Sequence, residues 1–324
     1  MKIIAELCQN HNGNFDMVKR MVEAAGEAGA THVKIQTIYA ANLAFRSQFE
    51  NGLEQDGKVS CIKRPWQAEY DRLKELELAP DQCAEFVTFC NDVGVIPLTT
   101  CFARGNLREI SSQGFREIKV ASYDCASYQL LRELHGLFEH IYVSTGATFD
   151  NEIKHAASIL QKAKAKFSLL QCVTVYPTPL EDMNLARLAW LRNYSPNVGF
   201  SDHSLVARDG VLASKAAIAL GADVVERHFT ITGASESRDG PVSITPSHLR
   251  ELVEFSQLTS GEQNELLGLE YPEWEKMIGR SERELTDAEL LNRDYYRGRF
   301  ATPQGAGLHA ASQMIYNWEE TPFE

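Results

Sequence analysis

The sequence alternates between short apolar segments and helical patterns over its first 258 residues. The apolar segments have the length and composition of β-strands, and apolar residues recur every three or four positions between them. The predicted strands are Ile3–Leu7, His32–Gln36, Val95–Thr100, Phe115–Val120, His140–Ser144, Phe167–Val173, Asn197–Phe200 and Ala222–Arg227. Eight strands with intervening helices over about 250 residues are typical of a TIM (β/α)8 barrel. A doubly wound sheet is the alternative fold, and the strand count disfavours it.

Two segments interrupt this alternation. One is the long connection Thr37–Pro65, and loops of this length are usually functional or mobile. The other is the tail from Thr259 onward, which contains too little periodic apolar sequence for an independent domain. We therefore predict a catalytic α/β barrel over residues 1–258 and a C-terminal helical or extended arm over residues 259–324.

Composition excludes several classes of function. Among 324 residues, 32 Lys and Arg face 44 Asp and Glu, and this net charge of −12 argues against a nucleic-acid-binding surface. No apolar run could span a bilayer and no signal-peptide pattern precedes the first strand, so a cytoplasmic location without membrane contact is expected. The seven cysteines are scattered, without a CxxC pair, and most are expected to be buried reduced thiols.

Alternation within the predicted strands gathers polar residues on one face. Alternate residues of a strand share a face, so Lys34 and Gln36 lie opposite Ile35, and Lys119 lies opposite Ile118. The polar face carries Glu6, His32, Lys34, Gln36, Lys119, Ser144, Glu226 and His228. Because the faces packed on helices should be apolar, this set is expected to face the barrel axis, where the carboxyl ends of the strands form active sites.

The segment Asn197–Thr230 places a histidine at the end of each of two successive strands. His203 and His228 therefore suit a divalent metal with positions open for substrate, although a single such histidine is more often structural. Lysines in a barrel mouth need anionic partners; Glu6 supplies one, and a bound phosphate or carboxylate is the natural second. The residues alone thus predict a metal-assisted barrel enzyme that acts on an anionic, phosphorylated small molecule.

Several motifs resemble the sialic acid synthase (N-acetylneuraminate synthase, NeuB-like) family. They occur in family order and read AELCQNHNG (5–13), EAGATHVKIQT (27–37), EIKVAS (117–122), VSTGAT (143–148), CVTVYPTPLEDMNL (172–185), VGFSDHS (198–204) and ALGADVVERHFT (219–230). The resemblance covers the barrel. It leaves the family pattern at Ser237–Pro241, and the family's C-terminal antifreeze-like (SAF) domain is expected to be missing.

The resemblance implies a transferase that condenses phosphoenolpyruvate with an aldose, such as N-acetylmannosamine or a related sugar. The product would be a nonulosonic, sialic-acid-like 2-keto-3-deoxy acid, released with phosphate, and the cofactor would be Mn²⁺ or Mg²⁺. It also points to a homodimer. The alternatives are a metal-dependent aldolase or lyase acting on a 2-keto acid sugar, and a non-catalytic sugar-binding relative.

The family's functional residues carry over to positions in this sequence. His203 and His228 match the metal ligands, and Glu6 matches the acid that orients or deprotonates the metal-bound water. Residues that match the phosphoenolpyruvate-binding groups are Lys34, Lys119, Thr100, Ser144 and Ser201, with Ser122 and Thr174 as weaker members. Residues that match positions near the sugar are Gln36, Asp124, Tyr176 and Asp239.

Overall fold

The computed structural model describes residues 1–304 and 313–321. Eight parallel strands form a closed barrel in chain order: Lys2–Cys8, His32–Thr37, Ile96–Cys101, Glu117–Val120, His140–Ser144, Phe167–Cys172, Asn197–Asp202 and Val224–His228. The first strand pairs with the second and with the last, so that Glu6 lies beside both Lys34 and His228. The predicted TIM barrel is confirmed, and the doubly wound sheet is excluded.

Helices surround the barrel. They span Phe15–Glu27, Trp66–Leu76, Pro80–Val93, Leu107–Ser112, Tyr128–Leu134, Asp150–Lys162, Arg187–Leu191, Val206–Asp209, Leu212–Ala219 and Pro246–Ser256. The first of them begins where the Asn14 side chain accepts a hydrogen bond from the backbone N–H of Met17 at 3.0 Å, which satisfies one of the free donors of a helix start.

The interior of the barrel is filled in layers. Five side chains are buried together inside it, namely Ile4, Leu98, Tyr142, Leu170 and Val224. At the amino ends of the strands, the Tyr142 hydroxyl donates a 2.6 Å hydrogen bond to Glu117, and His32 Nε2 lies 3.0 Å from the same carboxylate. His32 therefore faces the axis as predicted, but it closes the end of the barrel opposite to the polar mouth.

The long connection after the second strand has its own local structure. It contains a 3-10 turn at Ala40–Asn42, a short helix at Gln48–Asn51 and a hairpin of Leu53–Gln55 with Lys58–Cys61. Its first part packs on the end of the chain, because Leu43 forms a β-bridge with Phe300. The long connection and the chain end therefore support each other over the barrel mouth.

The later residues after the last barrel helix reach the carboxyl ends of the strands, where Asn292 donates to the carbonyl of Thr174 and Asn317 donates to the carbonyl of Phe102. They form helices at Ser260–Glu270 and Asp287–Tyr296, a 3-10 turn at Trp274–Met277, and a two-stranded sheet of Ala301–Pro303 with Met314–Tyr316. The division at residue 258 stays a prediction, and residues 305–312 and 322–324 of the predicted arm lie outside the described residues. Across residues 1–304 and 313–321, the helices are all too short or too polar to cross a membrane.

Candidate active site

A cavity of about 90 Å³ opens at the carboxyl ends of the barrel strands. Eleven of the predicted site residues line it: Glu6, Lys34, Gln36, Thr100, Lys119, Ser122, Ser144, Tyr176, Ser201, His203 and His228. The remaining lining residues are Phe102, Ala121, Tyr123, Cys172 and Glu226. Strand alternation thus brings side chains from all eight strands and their exits to one cavity.

The two lysines on the floor of the cavity are buried, and each donates hydrogen bonds to neighbouring groups. Lys34 Nζ donates to Thr100 Oγ1 at 2.8 Å and forms an ion pair with Glu6. Lys119 Nζ donates to Ser144 Oγ at 2.6 Å and to the carbonyl of Val120 at 3.0 Å. Burial lowers the pKa of Lys34 to about 8, with the charge of Lys119 acting in the same direction.

Glu226 joins the two lysines. Its carboxylate lies 3.4 Å from Lys34 Nζ and 3.6 Å from Lys119 Nζ, and it accepts a 2.8 Å hydrogen bond from Ser201 Oγ. Burial would raise its pKa, but the charges of Lys119 and Lys34 outweigh burial and lower the pKa to about 2. Glu226 was not among the predicted site residues, although its phase in the eighth strand had placed it on the polar face.

A buried ion pair positions the two histidines. Asp202 and Arg227, which directly precede His203 and His228, are completely buried and paired with each other. Asp202 also accepts hydrogen bonds from the backbone N–H of Ser204 at 2.8 Å and from the hydroxyl of Ser214 at 2.6 Å. The seventh and eighth strands are therefore tied together immediately before their histidines.

The histidine rings meet at the cavity. Their centroids lie 5.3 Å apart, and burial lowers the pKa of both His203 and His228, which favours the neutral form that binds metals. Nδ1 of His228 is buried and has no hydrogen-bond partner among the described residues. The pair therefore fits a divalent metal in donor type, in protonation state and in having a ring nitrogen still to be satisfied.

Three predicted residues lie behind the cavity lining. Thr174 is buried next to Gly146, where a Cβ would lie 2.6 Å from its methyl group. Asp124 accepts hydrogen bonds from Ser127 Oγ at 2.8 Å and from Asn317 Nδ2 at 2.9 Å, and burial raises its pKa. These contacts direct the Asp124 carboxylate towards Ser127 and Asn317.

Asp239 is the third residue behind the lining. Its carboxylate accepts a 2.8 Å hydrogen bond from the thiol of Cys8, at the end of the first strand. Burial, followed by the negative charge of Asp239, raises the pKa of this thiol well above its usual value. Sequence reasoning did not single out Cys8, whereas the expectation that most of the cysteines are buried is confirmed.

Aromatic residues form the rim of the cavity. The ring of Tyr176 lies 4.1 Å from that of His203 and is about half exposed. Tyr123 stacks on Tyr296 at 4.9 Å, and Phe102 contacts Phe300 at 5.2 Å. Within the described part of the chain, residues after 258 support this rim from behind and do not line the cavity themselves.

Known proteins share both the sequence and this architecture. The NeuB family matches residues 21–263. N,N'-diacetyllegionaminic acid synthase of Campylobacter jejuni is 29% identical over 262 residues, which are 77% of this chain and 73% of that protein. N-acetylneuraminate-9-phosphate synthase of Drosophila melanogaster is 31% identical over 255 residues, which are 78% of this chain and 66% of that protein.

A solved structure agrees with these sequence relatives. The crystal structure of N-acetylneuraminic acid (sialic acid) synthetase from Leptospira borgpetersenii, in complex with citrate, superposes with a TM-score of 0.68 at 25% identity and covers 90% of both chains. The family match spans more than half of the sequence and includes seven of the eight barrel strands completely, from His32–Thr37 to Val224–His228. The chain therefore belongs to the NeuB family.

Proposed function

We propose that this protein condenses phosphoenolpyruvate with an aldose to give a sialic-acid-like 2-keto-3-deoxy acid and phosphate. The observation that carries the proposal is the floor of the cavity, where two buried lysines and three hydroxyls surround a glutamate beside two neutral histidines. Such a floor provides cationic and hydroxyl groups for a small ligand that carries both a phosphate and a carboxylate. The names of the relatives, which are synthases of sialic-acid-type sugars, support the same reaction class.

The floor would bind phosphoenolpyruvate through charge and hydroxyl groups. Lys34 and Lys119 face the anionic groups, and Thr100, Ser144 and Ser201 direct hydroxyls to the same space. In the protein alone, the two lysine charges are balanced by Glu6 and Glu226. Additional positive charge at His203 and His228 would therefore favour a polyanionic ligand.

The histidines would hold the divalent metal, for which Mn²⁺ and Mg²⁺ are the candidates from resemblance. When bound, the metal supplies Lewis-acid polarisation of the aldehyde of the open-chain sugar. The residues of the chain then hold the two reactants with C3 of phosphoenolpyruvate against the aldehyde carbon. Attack forms the new C–C bond and breaks the C=O π bond of the aldehyde, whose oxygen takes a proton from water to become a hydroxyl, and positive charge develops at C2.

Glu6 is the proposed base for the second half of the reaction. Its Oε1 accepts a 2.7 Å hydrogen bond from the backbone N–H of Cys8, while its other oxygen pairs with Lys34, so the carboxylate is fixed in orientation. Water adds at C2 as Glu6 accepts one of its protons. The adduct then collapses to the 2-keto acid while the C2–O bond to phosphate breaks, and Lys119 and Lys34 stabilise the leaving charge.

Gln36 and Tyr176 are the proposed sugar contacts. Both line the outer part of the cavity, whereas Asp124 and Asp239 hold partners within the protein. We propose N-acetylmannosamine or a related aldose as the acceptor, in keeping with the range of sugars named for the relatives.

The test is phosphate release from phosphoenolpyruvate with Mn²⁺ across a panel of aldoses, with mass spectrometry of the products. We expect phosphate and a 2-keto acid in equal amounts, both dependent on one class of aldose. The absence of aldose-dependent release with Mn²⁺, Mg²⁺, Co²⁺ and Zn²⁺ would refute the proposal. Cleavage of a keto-sugar without phosphate turnover would instead identify a lyase, and absence of a thermal shift with metal plus phosphoenolpyruvate would identify a non-catalytic relative.

A further inference from the structure

A second group of possible metal ligands lies at the edge of the cavity. One ligand atom from each of Cys8, His228 and Asp239 lies within 4.8 Å of the others. Among residues 1–304 and 313–321, this is the one set of three or more His, Cys, Asp or Glu side chains with such spacing. The three residues come from the first strand, the eighth strand and the connection that follows the eighth strand, so the fold itself assembles them.

His228 provides an independent indication that this group of side chains binds a ligand. The residue is 8% exposed, and its Nδ1 has no hydrogen-bond partner among the described residues. An unsatisfied buried polar atom is unfavourable, so the Nδ1 of His228 calls for a partner such as an ion or a water bound from outside the chain. The Cys8 thiol donates its proton to the Asp239 carboxylate, and binding of a cation to a thiol releases that proton.

Cys8 adopts a backbone conformation that favours glycine. Cys8 has a φ of +48°, and the pairing of the first and second strands shifts register between Glu6 and Cys8. The left-handed conformation is unfavourable for a residue that carries a Cβ. Glycine would adopt it without this cost and would still donate its backbone N–H to Glu6, so the strain is not needed to hold Glu6.

The loop that carries Asp239 is held against the first strand. Asn10 Nδ2 donates to the carbonyl of Phe229 and to Ser243 Oγ, both at 2.9 Å. The hydroxyl of Ser243 donates to the backbone carbonyl of Asp239 at 2.7 Å, and Ser237 donates to Asn10. These bonds fix the backbone of Asp239 beside Cys8, which is the preorganisation that a metal site requires.

We propose that Cys8 and Asp239 join His228 as ligands of one divalent metal. The proposal rests on the proposed function in taking His228 as a metal ligand. It adds a thiolate and a carboxylate from residues to which the resemblance gives no metal role. Because a thiolate is a soft donor, the site should prefer Zn²⁺, Fe²⁺ or Co²⁺ to Mg²⁺.

Cobalt substitution tests the thiolate directly. The metal-free full-length protein is loaded with one equivalent of Co²⁺ without oxygen, and its absorption spectrum is recorded without substrates. We expect a thiolate-to-cobalt charge-transfer band in the near ultraviolet for the wild type and its absence in Cys8→Ser. Cys172→Ser is the matched control, because this other buried thiol lies 3.8 Å from His203 Nδ1 and should leave the band in place.

Affinity measurements complete the test. Cys8→Ser should weaken Zn²⁺ binding by more than the roughly 10–100-fold that follows loss of an outer-shell partner, with a smaller loss for Mn²⁺. Cys8→Gly guards against a folding defect, since it removes the strain at φ +48° and should unfold at the same or a higher temperature while also lacking the band. Asp239→Asn should weaken cobalt binding but keep the band.

The outcomes separate this proposal from the proposed function. Cobalt that binds without a charge-transfer band, or a band that persists in Cys8→Ser or disappears in Cys172→Ser, overturns ligation by Cys8 and leaves the condensation reaction standing. No cobalt binding overturns the metal site as a whole. A band that depends on Cys8, in a protein that releases no phosphate with any aldose, retains the site and refutes the proposed reaction.

Discussion

The floor and the roof of the cavity are built in different ways. The floor consists of the inward side chains at the strand ends, and Lys34, Lys119 and Glu226 are held there by contacts between neighbouring strands. The roof consists of the aromatic rim with the residues behind it, including Tyr296 and Phe300, which reach it from far along the sequence. Barrel register thus fixes the floor, whereas the roof can change without altering the barrel. We infer that the floor determines the reaction and the roof influences which sugar reacts.

Replacement of His228 by Ala should have the largest effect on the floor. Loss of a metal ligand removes several kcal/mol of transition-state stabilisation, so aldose-dependent phosphate release should fall by roughly 10³-fold or more. The thermal unfolding temperature should change little, because His228 Nδ1 makes no hydrogen bond within the described residues. Activity that survives in a metal-saturated assay would contradict the role of His228 as a ligand.

Replacement of Lys119 by Ala should have the second-largest effect on the floor. The change removes a cation proposed to pair with an anionic group of phosphoenolpyruvate, and loss of one partner of a buried charge pair costs about 2–5 kcal/mol, so the affinity for phosphoenolpyruvate should fall at least about 30-fold. Binding is measured by calorimetry. Lys2→Ala is the matched control, since Lys2 lies at the opposite end of the barrel, where it donates to the Tyr142 hydroxyl at 2.6 Å. Equal losses in both variants would show a general effect on the barrel.

The pH dependence of binding should follow Lys34. Its pKa of about 8 is below the usual 10.5, so the folded protein loses this proton first as the pH rises. Phosphoenolpyruvate favours the charged lysine and is already ionised in this range, so binding is strongest below pH 8 and weakens by up to about tenfold per unit above it. The lowered pKa also affects stability. As the pH rises from 8 to 10.5, folding of the ligand-free protein becomes more favourable, because the unfolded chain still holds a proton that the folded protein has lost.

Titrations of phosphoenolpyruvate between pH 7 and pH 9.5 measure this dependence. Lys34→Arg is the control, because arginine stays charged throughout the range and should remove the dependence in whatever affinity remains. A wild-type affinity that stays constant from pH 7 to pH 9.5 would show that Lys34 does not carry the binding charge.

Replacement of Asn317, which supports the roof, should have the smallest effect. It should alter binding of the aldose and not that of phosphoenolpyruvate. Asn317 donates to Asp124 at 2.9 Å and to the carbonyl of Phe102 at 2.8 Å, and it accepts from the backbone N–H of Arg104 at 3.0 Å. Asn317→Ala should loosen the rim and raise the apparent KM for the aldose about 3- to 10-fold, with an unchanged affinity for phosphoenolpyruvate. Asn193→Ala, at an exposed helix end, is the control. An equal loss of phosphoenolpyruvate affinity would show that floor and roof do not act separately.

The same division explains what the sequence could predict. Strand number and phase follow from local patterns, so the barrel and most of the cavity lining were predicted correctly. Glu226 had the correct phase, but its importance depends on two lysines from other strands. Cys8 lies at a register shift that alternation does not detect. The contact between Asp124 and Asn317 joins residues 193 positions apart, for which no local pattern exists. The roles of the lining residues and the boundary at residue 258 remain predictions.

Because the interior of the barrel is filled, substrates should bind and products should leave in a fixed order. Ile4, Leu98, Tyr142, Leu170 and Val224 occupy the axis below the cavity, so the mouth is the route for entry and exit that the described residues leave open. If phosphoenolpyruvate lies on the floor and the sugar above it, the sugar can bind only after phosphoenolpyruvate. Kinetics should then be sequential and ordered, with phosphate leaving after the sugar acid and competing with phosphoenolpyruvate as a product inhibitor.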